Sequence, residues 1–544
     1  MADLTVHSKA MNDGNPIMSG QEKLETLSLE DHDFQSSTRR EELAKDCASS
    51  KSGREENMES GLAKSASNVE VAFKDPEERS SSDPNVVGWD GDNDLMDPTN
   101  WNGQKKWGHV AIISAITFVT PLASSMFAPG VPQLMDEFGS KDVELGSFVV
   151  SVYVLGFAAG PLFIAPISEL YGRLWVYHIC NLFFIIFTIA CALASNLNML
   201  IGFRFLAGCV GAAPLTIGGG TIADLIVQEK RGAAMAIFAM GPLIGPVVGP
   251  VIGGFLSEAM GWRWVFWLLA IISGVVSVTA LVFMRETYAT TILEKKASKL
   301  RKSTGNTELR SKHDSGLSAR DLFWRSIVRP AKMLLFSPIC LLLSLFMAVV
   351  YGYLYLIFTT FPTVFQGQYG FSTSSVGLAY IGIGIGCLAG LLYCGVASDK
   401  IMKRKSKRGE MKPEYRLPPM IYGAPLIPIG LFWYGWSAEA RVHWIVPIIG
   451  SSLVGAGMLA IFMPVQTYMV DAFTVYAASA LAANTVLRSI GGAFLPLAGE
   501  KMYETLGLGW GNSLLGFISL ALCPIPWVFY RYGETIRKRY MLEL

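Results

Sequence analysis

The sequence predicts an all-α integral membrane protein made of two related six-helix bundles. Three observations carry that expectation: twelve long apolar stretches, basic residues collected in alternate loops, and an acid–base motif that recurs six stretches apart. Of 544 residues, 51% are hydrophobic and only 16% are charged, whereas a soluble domain usually carries about a quarter charged residues. Mean hydropathy is +0.37, and the charges are bunched between the apolar stretches. Runs of about 18 or more apolar residues are long enough to cross a bilayer as a helix.

Residues 1–95 are rich in Ser, Asp, Glu, Lys and Asn. Such a segment buries too little surface to offset its ordering entropy, so it is expected to be a disordered cytoplasmic tail. An N-terminal bundle over 96–284 follows, with spans near 108–130, 144–166, 174–194, 199–222, 232–256 and 262–284. A polar, basic connector occupies 285–337, and the C-terminal bundle over 338–530 has spans near 338–362, 374–397, 418–436, 443–470, 478–500 and 509–530. Residues 531–544 form a short C-terminal tail.

Lys105, Lys106, Arg173, Lys230, Arg231, the connector, the run from Lys400 to Arg408 and the C-terminal Arg531, Arg537, Lys538 and Arg539 all fall on one side. The alternate loops hold single basic residues such as Lys141, Arg263 and Arg441. The bias of basic residues toward the cytoplasm places both termini there, which requires an even number of spans. The net charge of +1 gives no field that would draw a nucleic acid. The eight cysteines stand singly without metal-ligand or redox spacing, so no metal or cofactor is expected.

"APISELYGR" (165–173) after the second span aligns with "GVASDKIMK" (395–403) after the eighth, setting Glu169 over Asp399 and Arg173 over Lys403. This is the place where a six-plus-six duplication puts a repeat. In the fifth span, "GPLIGPVVGPVIGG" (241–254) repeats glycine at Gly241, Gly245, Gly249 and Gly253 and proline at Pro242, Pro246 and Pro250, with Gly254 closing the run. Glycines at this spacing make a flat groove for a neighbouring helix, and each proline removes a backbone donor. The reading is a shaped, bent helix at a moving interface.

These residues resemble the major facilitator superfamily. "GPLIGPVVGPVIGG" is similar to its antiporter signature, "RFLAGCVGAAP" (204–214) to its fourth-span motif and "PISELYGR" to its loop-two motif. "DPTNW" (97–101), "GWRWVFW" (261–267), "RETYATTILEKKASKLR" (285–301), "PEYRLPP" (413–419), "ASALAANTVLRSIGGAFLPLAG" (478–499) and "YGETIRKRY" (532–540) resemble fungal twelve-span drug:proton antiporters. The loop-two motif departs from the pattern at Ala165, Glu169 and Leu170, leaving its latch to Glu169 and Arg173. The resemblance implies export of a small amphipathic compound (drug, toxin, secondary metabolite or polyamine) against protons, by a monomer in the plasma membrane or a vacuolar one. It also implies a coupling role for Arg204.

Charges inside spans are costly and mark function. Arg204 and Arg488 lie within spans; Asp224, Asp399 and Asp471 lie at span ends, and Asp224 with Arg231 is read as a pair that closes a loop. No carboxylate falls at the centre of a span, so the proton carrier stays open: Glu169 or Asp224 is the candidate acid, with a substrate group or water as the alternative route. Tyr153, Tyr351, Tyr353, Tyr355, Tyr380, Gln466, Tyr468 and Asn484 are the candidates for an aromatic, uncharged cavity lining. A proton-coupled importer or facilitator in the same fold is the alternative, and a receptor without transport is a weaker one. An enzyme has no support from HExxH, GxSxG or a Walker loop, none of which occurs.

Overall fold

The computed structural model describes residues 85–91, 93–227, 231–312, 319–406 and 412–540. Among them, ten helical stretches are long and apolar enough to cross a membrane. The first six spans are Gly103–Ser125, Val143–Tyr171, Arg173–Ala192, Leu197–Leu225, Arg231–Met260 and Arg263–Phe283. The seventh, eighth and tenth are Pro338–Tyr369, Thr373–Ser406 and Ile445–Phe473. The last apolar stretch covers Leu497–Arg539.

Two expected passes are less regular than hydropathy implies. The ninth is broken at Pro425 into Pro418–Gly423 and Leu426–Glu439, each too short to cross alone. The eleventh begins as Ala477–Phe494, where Asn484 and Arg488 dilute the apolar character. It continues from Leu497 to Gly507, where φ of +75° turns the chain into the twelfth span. Glu439 fixes that turn by accepting from the N–H groups of Leu508 (2.8 Å) and Gly509 (3.3 Å), the unpaired donors of a new helix. With these two included, the described residues make twelve passes.

Helix packing repeats with a shift of six. Span one packs on five as seven packs on eleven; two on four as eight on ten; three on six as nine on twelve. The halves meet through the mate pairs five with eight and two with eleven. Several of these contacts lie away from the connector, on the far side of the bundle. There Glu258 accepts from Ser374 N (2.7 Å), and Lys501 lies 3.8 Å from Glu144.

The segment before span one is more ordered than its composition implies. Residues 1–84 lie outside the described residues, but Val86–Val87 (β1) pairs in parallel with Arg310–Ser311 (β2) of the connector. Lys296, on the connector helix Ala289–Thr304, donates to Gly88 O (2.9 Å) and Asp90 Oδ1 (2.6 Å). Asp94 accepts from the N–H groups of Asp90 and Met96, which hold its carboxyl below the usual range with help from Lys296. The second connector helix, Ala319–Phe336, packs on spans two, seven and eleven and so touches both halves. Helix Pro524–Arg539 carries the last span into the segment read as a tail.

Candidate functional site

Every rung of the glycine ladder meets span one or the residue that ends it. A Cβ added at Gly241 would stand 3.0 Å from Phe118 N, at Gly245 2.9 Å from Leu122 N and at Gly249 2.6 Å from Ser125 Oγ, while one at Gly253 would overlap Met126 O. Only a residue without Cβ lets the two helices approach so closely. Pro242, Pro246 and Pro250 all lie within one unbroken helix, Arg231–Met260. The prolines leave carbonyls without their helical donors: Pro250 has no N–H for Pro246 O, and Ser125 Oγ donates to it instead (3.0 Å). Adjacent faces of the same helix meet span eight. A Cβ at Gly254 would lie 2.7 Å from Thr373 O, and one at Gly377 would lie 2.6 Å from Pro250 O.

Arg204 is 1% exposed, in span four. Its Nη2 donates to Ser124 O and Val150 O, both at 3.3 Å, and its Nε has no partner. The rings of Phe127, Tyr153 and Phe266 surround the guanidinium at 5.3, 5.4 and 5.7 Å, so aromatic faces stand where a carboxylate is usual. Tyr153 belongs to this compartment, since its hydroxyl donates to Thr120 O (2.9 Å) within the first half. Tyr355 of span seven donates to Ser124 Oγ (2.9 Å) and so ties the second half to the residue that also receives Arg204.

On the connector side, the latch differs from the expected pair. Arg173 meets Asp224 (3.4 Å), not Glu169, and also donates to Ser168 Oγ (2.9 Å). Glu169 forms no hydrogen bond or ion pair among the described residues; Arg173 and Arg329 act on it only through their charge. Asp224 and Arg231 do not pair: Arg231 donates to Ala223 O (3.0 Å) and Ile226 O (3.2 Å), closing the end of span four. Gly172 turns spans two and three with φ of +93°. Glu286 caps the start of span three by accepting from Arg173 N (3.0 Å) and Leu174 N (3.2 Å). Sequence reasoning passes over Glu286, although it stands in the RETY motif.

The second half repeats the arrangement. Arg416, before span nine, meets Asp471, at the end of span ten (2.8 Å). Glu534, six spans on from Glu286, meets Lys412 (2.6 Å). The side chain of Asp399 lies outside the described residues, as do those of Lys230 and the basic run 403–408.

The expected lining residues separate. Tyr351 and Arg488 face each other, with the guanidinium 5.0 Å from the ring, and Asn484 is buried one turn from Arg488. Tyr351 and Tyr355 rings lie 5.1 Å apart. The other tyrosines turn into their own bundle. Tyr353 donates to Leu515 O (2.9 Å) and Tyr380 to Phe358 O (2.7 Å). Tyr468 is buried near Glu414 and Arg537 on the connector side, while Gln466 is half-buried. A buried carboxylate that sequence reasoning passes over, Glu500, accepts from Thr363 Oγ1 (2.8 Å) near the far end of span eleven.

The sequence pattern of the Major Facilitator Superfamily matches residues 113–496, most of both bundles. The chain belongs to the Major Facilitator Superfamily. It is 59% identical over 465 residues to the MFS-type transporter tndD of Aspergillus flavipes, covering 84% of this chain and 86% of that protein. It is 55% identical over 479 residues to the efflux pump radE of Floropilus chiversii, covering 87% and 89%. Among solved structures, the partially occluded inward-open xylose transporter XylE of E. coli superposes with a TM-score of 0.61 at 16% identity, covering 78% of this chain and 98% of that one. The protein is thus a multi-pass membrane transporter with the major facilitator fold. In that fold the paired contacts of spans two with eleven and five with eight lie between the halves; Gly254 and Pro250 take part in the second of them, and the Tyr355–Ser124 bond joins the halves through spans seven and one.

Proposed function

We propose that this transporter exports a small amphipathic organic compound across the plasma membrane in exchange for protons, by alternating access. It acts as a monomer with both termini in the cytoplasm, as the basic bias of the connector-side loops favours. The observation that carries the reading is the two-faced ladder of span five. Gly241, Gly245, Gly249 and Gly253 lock it to span one, while Gly254 and Pro250 meet Thr373 and Gly377 of the other half. One helix thereby joins the rigid half to the surface on which the halves rock. The name of the relative from Floropilus chiversii supports the outward direction. Arg204, a buried cation one residue from the inter-half bond through Ser124, is the group placed to feel a change in proton occupancy.

Everted plasma-membrane vesicles test this reading with a panel of labelled amphipathic compounds. An imposed gradient, acid inside, drives uptake that a protonophore abolishes. Higher substrate in intact cells that carry the protein than in cells that lack it overturns the export direction.

A further inference from the structure

The inner face of span eleven carries polar groups that the rocking interface leaves without partners. Asn484, Arg488 and Gly492 follow at i, i+4 and i+8, which places them along one helical face. Gly492 fits where a Cβ would lie 2.9 Å from Tyr351 and 3.3 Å from Val154 of span two, so this face is turned to the junction of the halves. Asn484 is fully buried, yet neither its Oδ1 nor its Nδ2 has a hydrogen-bond partner. Arg488 Nε is likewise buried and unpartnered, and so is Ser489 Oγ on the neighbouring position. The Arg488 guanidinium lies over Tyr351 at 5.0 Å and Phe462 at 5.2 Å, and no carboxylate among the described residues pairs with it.

A half-buried guanidinium with a buried, unpartnered Nε and a fully buried amide without partners are both costly, and a ligand that supplies acceptors to the guanidinium and to Asn484 Nδ2 reduces the cost. The guanidinium presents parallel N–H donors that match a planar oxyanion, and Asn484 Nδ2 adds a donor one turn away. The Tyr351 and Phe462 rings offer flat apolar faces to the rest of the molecule. For an ammonium group this face offers Asn484 Oδ1 and ring faces but, among the described residues, no carboxylate, and Arg204, across the Tyr355–Ser124 bond, adds a second positive charge that is held by carbonyls. The buried Glu500 stands twelve residues farther along the same span, roughly 18 Å away at helical rise.

We infer that Arg488 and Asn484 form the subsite for the anionic group of the cargo. The cargo is therefore an amphipathic organic acid, with a carboxylate or phenolate on an aromatic or aliphatic body, and not a polyamine or other organic cation. This rests on the export reading for its cargo but not for its binding chemistry.

The test uses the full chain in nanodiscs and three probes of one shape: 4-phenylbenzoate, its methyl ester and 4-phenylbenzylamine, measured by calorimetry. The wild type binds the acid at least about tenfold more tightly than the ester or the amine, the worth of one charge-assisted hydrogen-bonded pair. Arg488→Gln loses that preference while binding the ester as before, and Arg488→Lys keeps part of it. An acid bound no more tightly than the ester by the wild type overturns the inference without recourse to any variant. So does an Arg488→Gln protein of unchanged melting temperature that keeps the preference. Loss of proton-driven transport with the acid preference intact refutes the antiport reading and leaves the subsite standing; the reverse pattern refutes the subsite alone.

Discussion

The Tyr355 hydroxyl donates to Ser124 Oγ across the junction of the two halves, at 2.9 Å. Both residues are buried, and the Ser124 carbonyl also receives Arg204. A neutral hydrogen bond contributes about 1 kcal/mol net, which corresponds to roughly a fivefold change in a two-state equilibrium. Tyr355→Phe therefore shifts the population away from the arrangement in which spans one and seven touch. Spin labels at the exposed Lys141 and Glu504 report the far-side separation of the halves. A distance distribution identical to that of the parent protein would show that the bond does not bias the cycle.

The ladder separates stability from switching. Gly253→Ala drives a Cβ into Met126 O, an atom of the backbone that cannot step aside. Overpacking of this kind costs about 1–3 kcal/mol or more, so the melting temperature falls. Gly241→Ala, with 3.0 Å to its nearest neighbour, is milder. Gly254→Ala presses instead on Thr373 O of the other half. It is expected to leave the melting temperature near normal and to raise labelling of far-side cysteines. Equal melting losses at Gly253 and Gly254 would contradict the division.

The connector-side pair makes an ordered prediction. Arg173 and Asp224 side chains are 14% and 21% exposed, and removing one partner leaves the other charge poorly solvated. Asp224→Asn is expected to cost about 2 kcal/mol, less than for a fully buried pair, and to lower transport. Glu169→Gln, which removes no hydrogen bond among the described residues, stays close to the parent. Melting curves and initial transport rates for both variants decide it; the opposite order would return the latch to Glu169.

What is legible from sequence follows from the range of the forces involved. The apolar runs and the glycine spacing of span five are local patterns, and they carry the fold and the close helix contact. Span nine is harder to bound because Pro425 interrupts it, and span eleven because Asn484 and Arg488 sit in it. Ion-pair partners escape because adjacency in the chain is a poor guide: Asp224 lies seven residues from Arg231 but pairs with Arg173, fifty-one residues away. The lining tyrosines meet the same limit. Tyr351, Tyr353 and Tyr355 share a span, yet only packing determines that Tyr353 turns to Leu515 while Tyr351 meets Arg488.

Glu500 supplies the remaining test of the antiport reading. The residue is 7% exposed near the far end of span eleven, and its carboxylate accepts from Thr363 Oγ1. Tyr503 and Glu504 face it from its own helix and Tyr434 from span nine, and no cation pairs with it among the described residues. Its neighbour Lys501 is exposed and turns to Glu144 instead. Asp224, by contrast, is committed to Arg173. On the proposed antiport reading, with the connector in the cytoplasm, an intramembrane carboxylate without a cation on the far side is the candidate carrier to test. Glu500→Gln is expected to abolish transport driven by a pH gradient while preserving downhill exchange of labelled for unlabelled substrate, and Glu500→Asp to retain part of the gradient-driven rate. Proteoliposomes measure both reactions on one preparation. Gradient-driven transport that survives in Glu500→Gln would move the proton to another group, whereas loss of exchange as well would mark Glu500 as a packing residue held by Thr363.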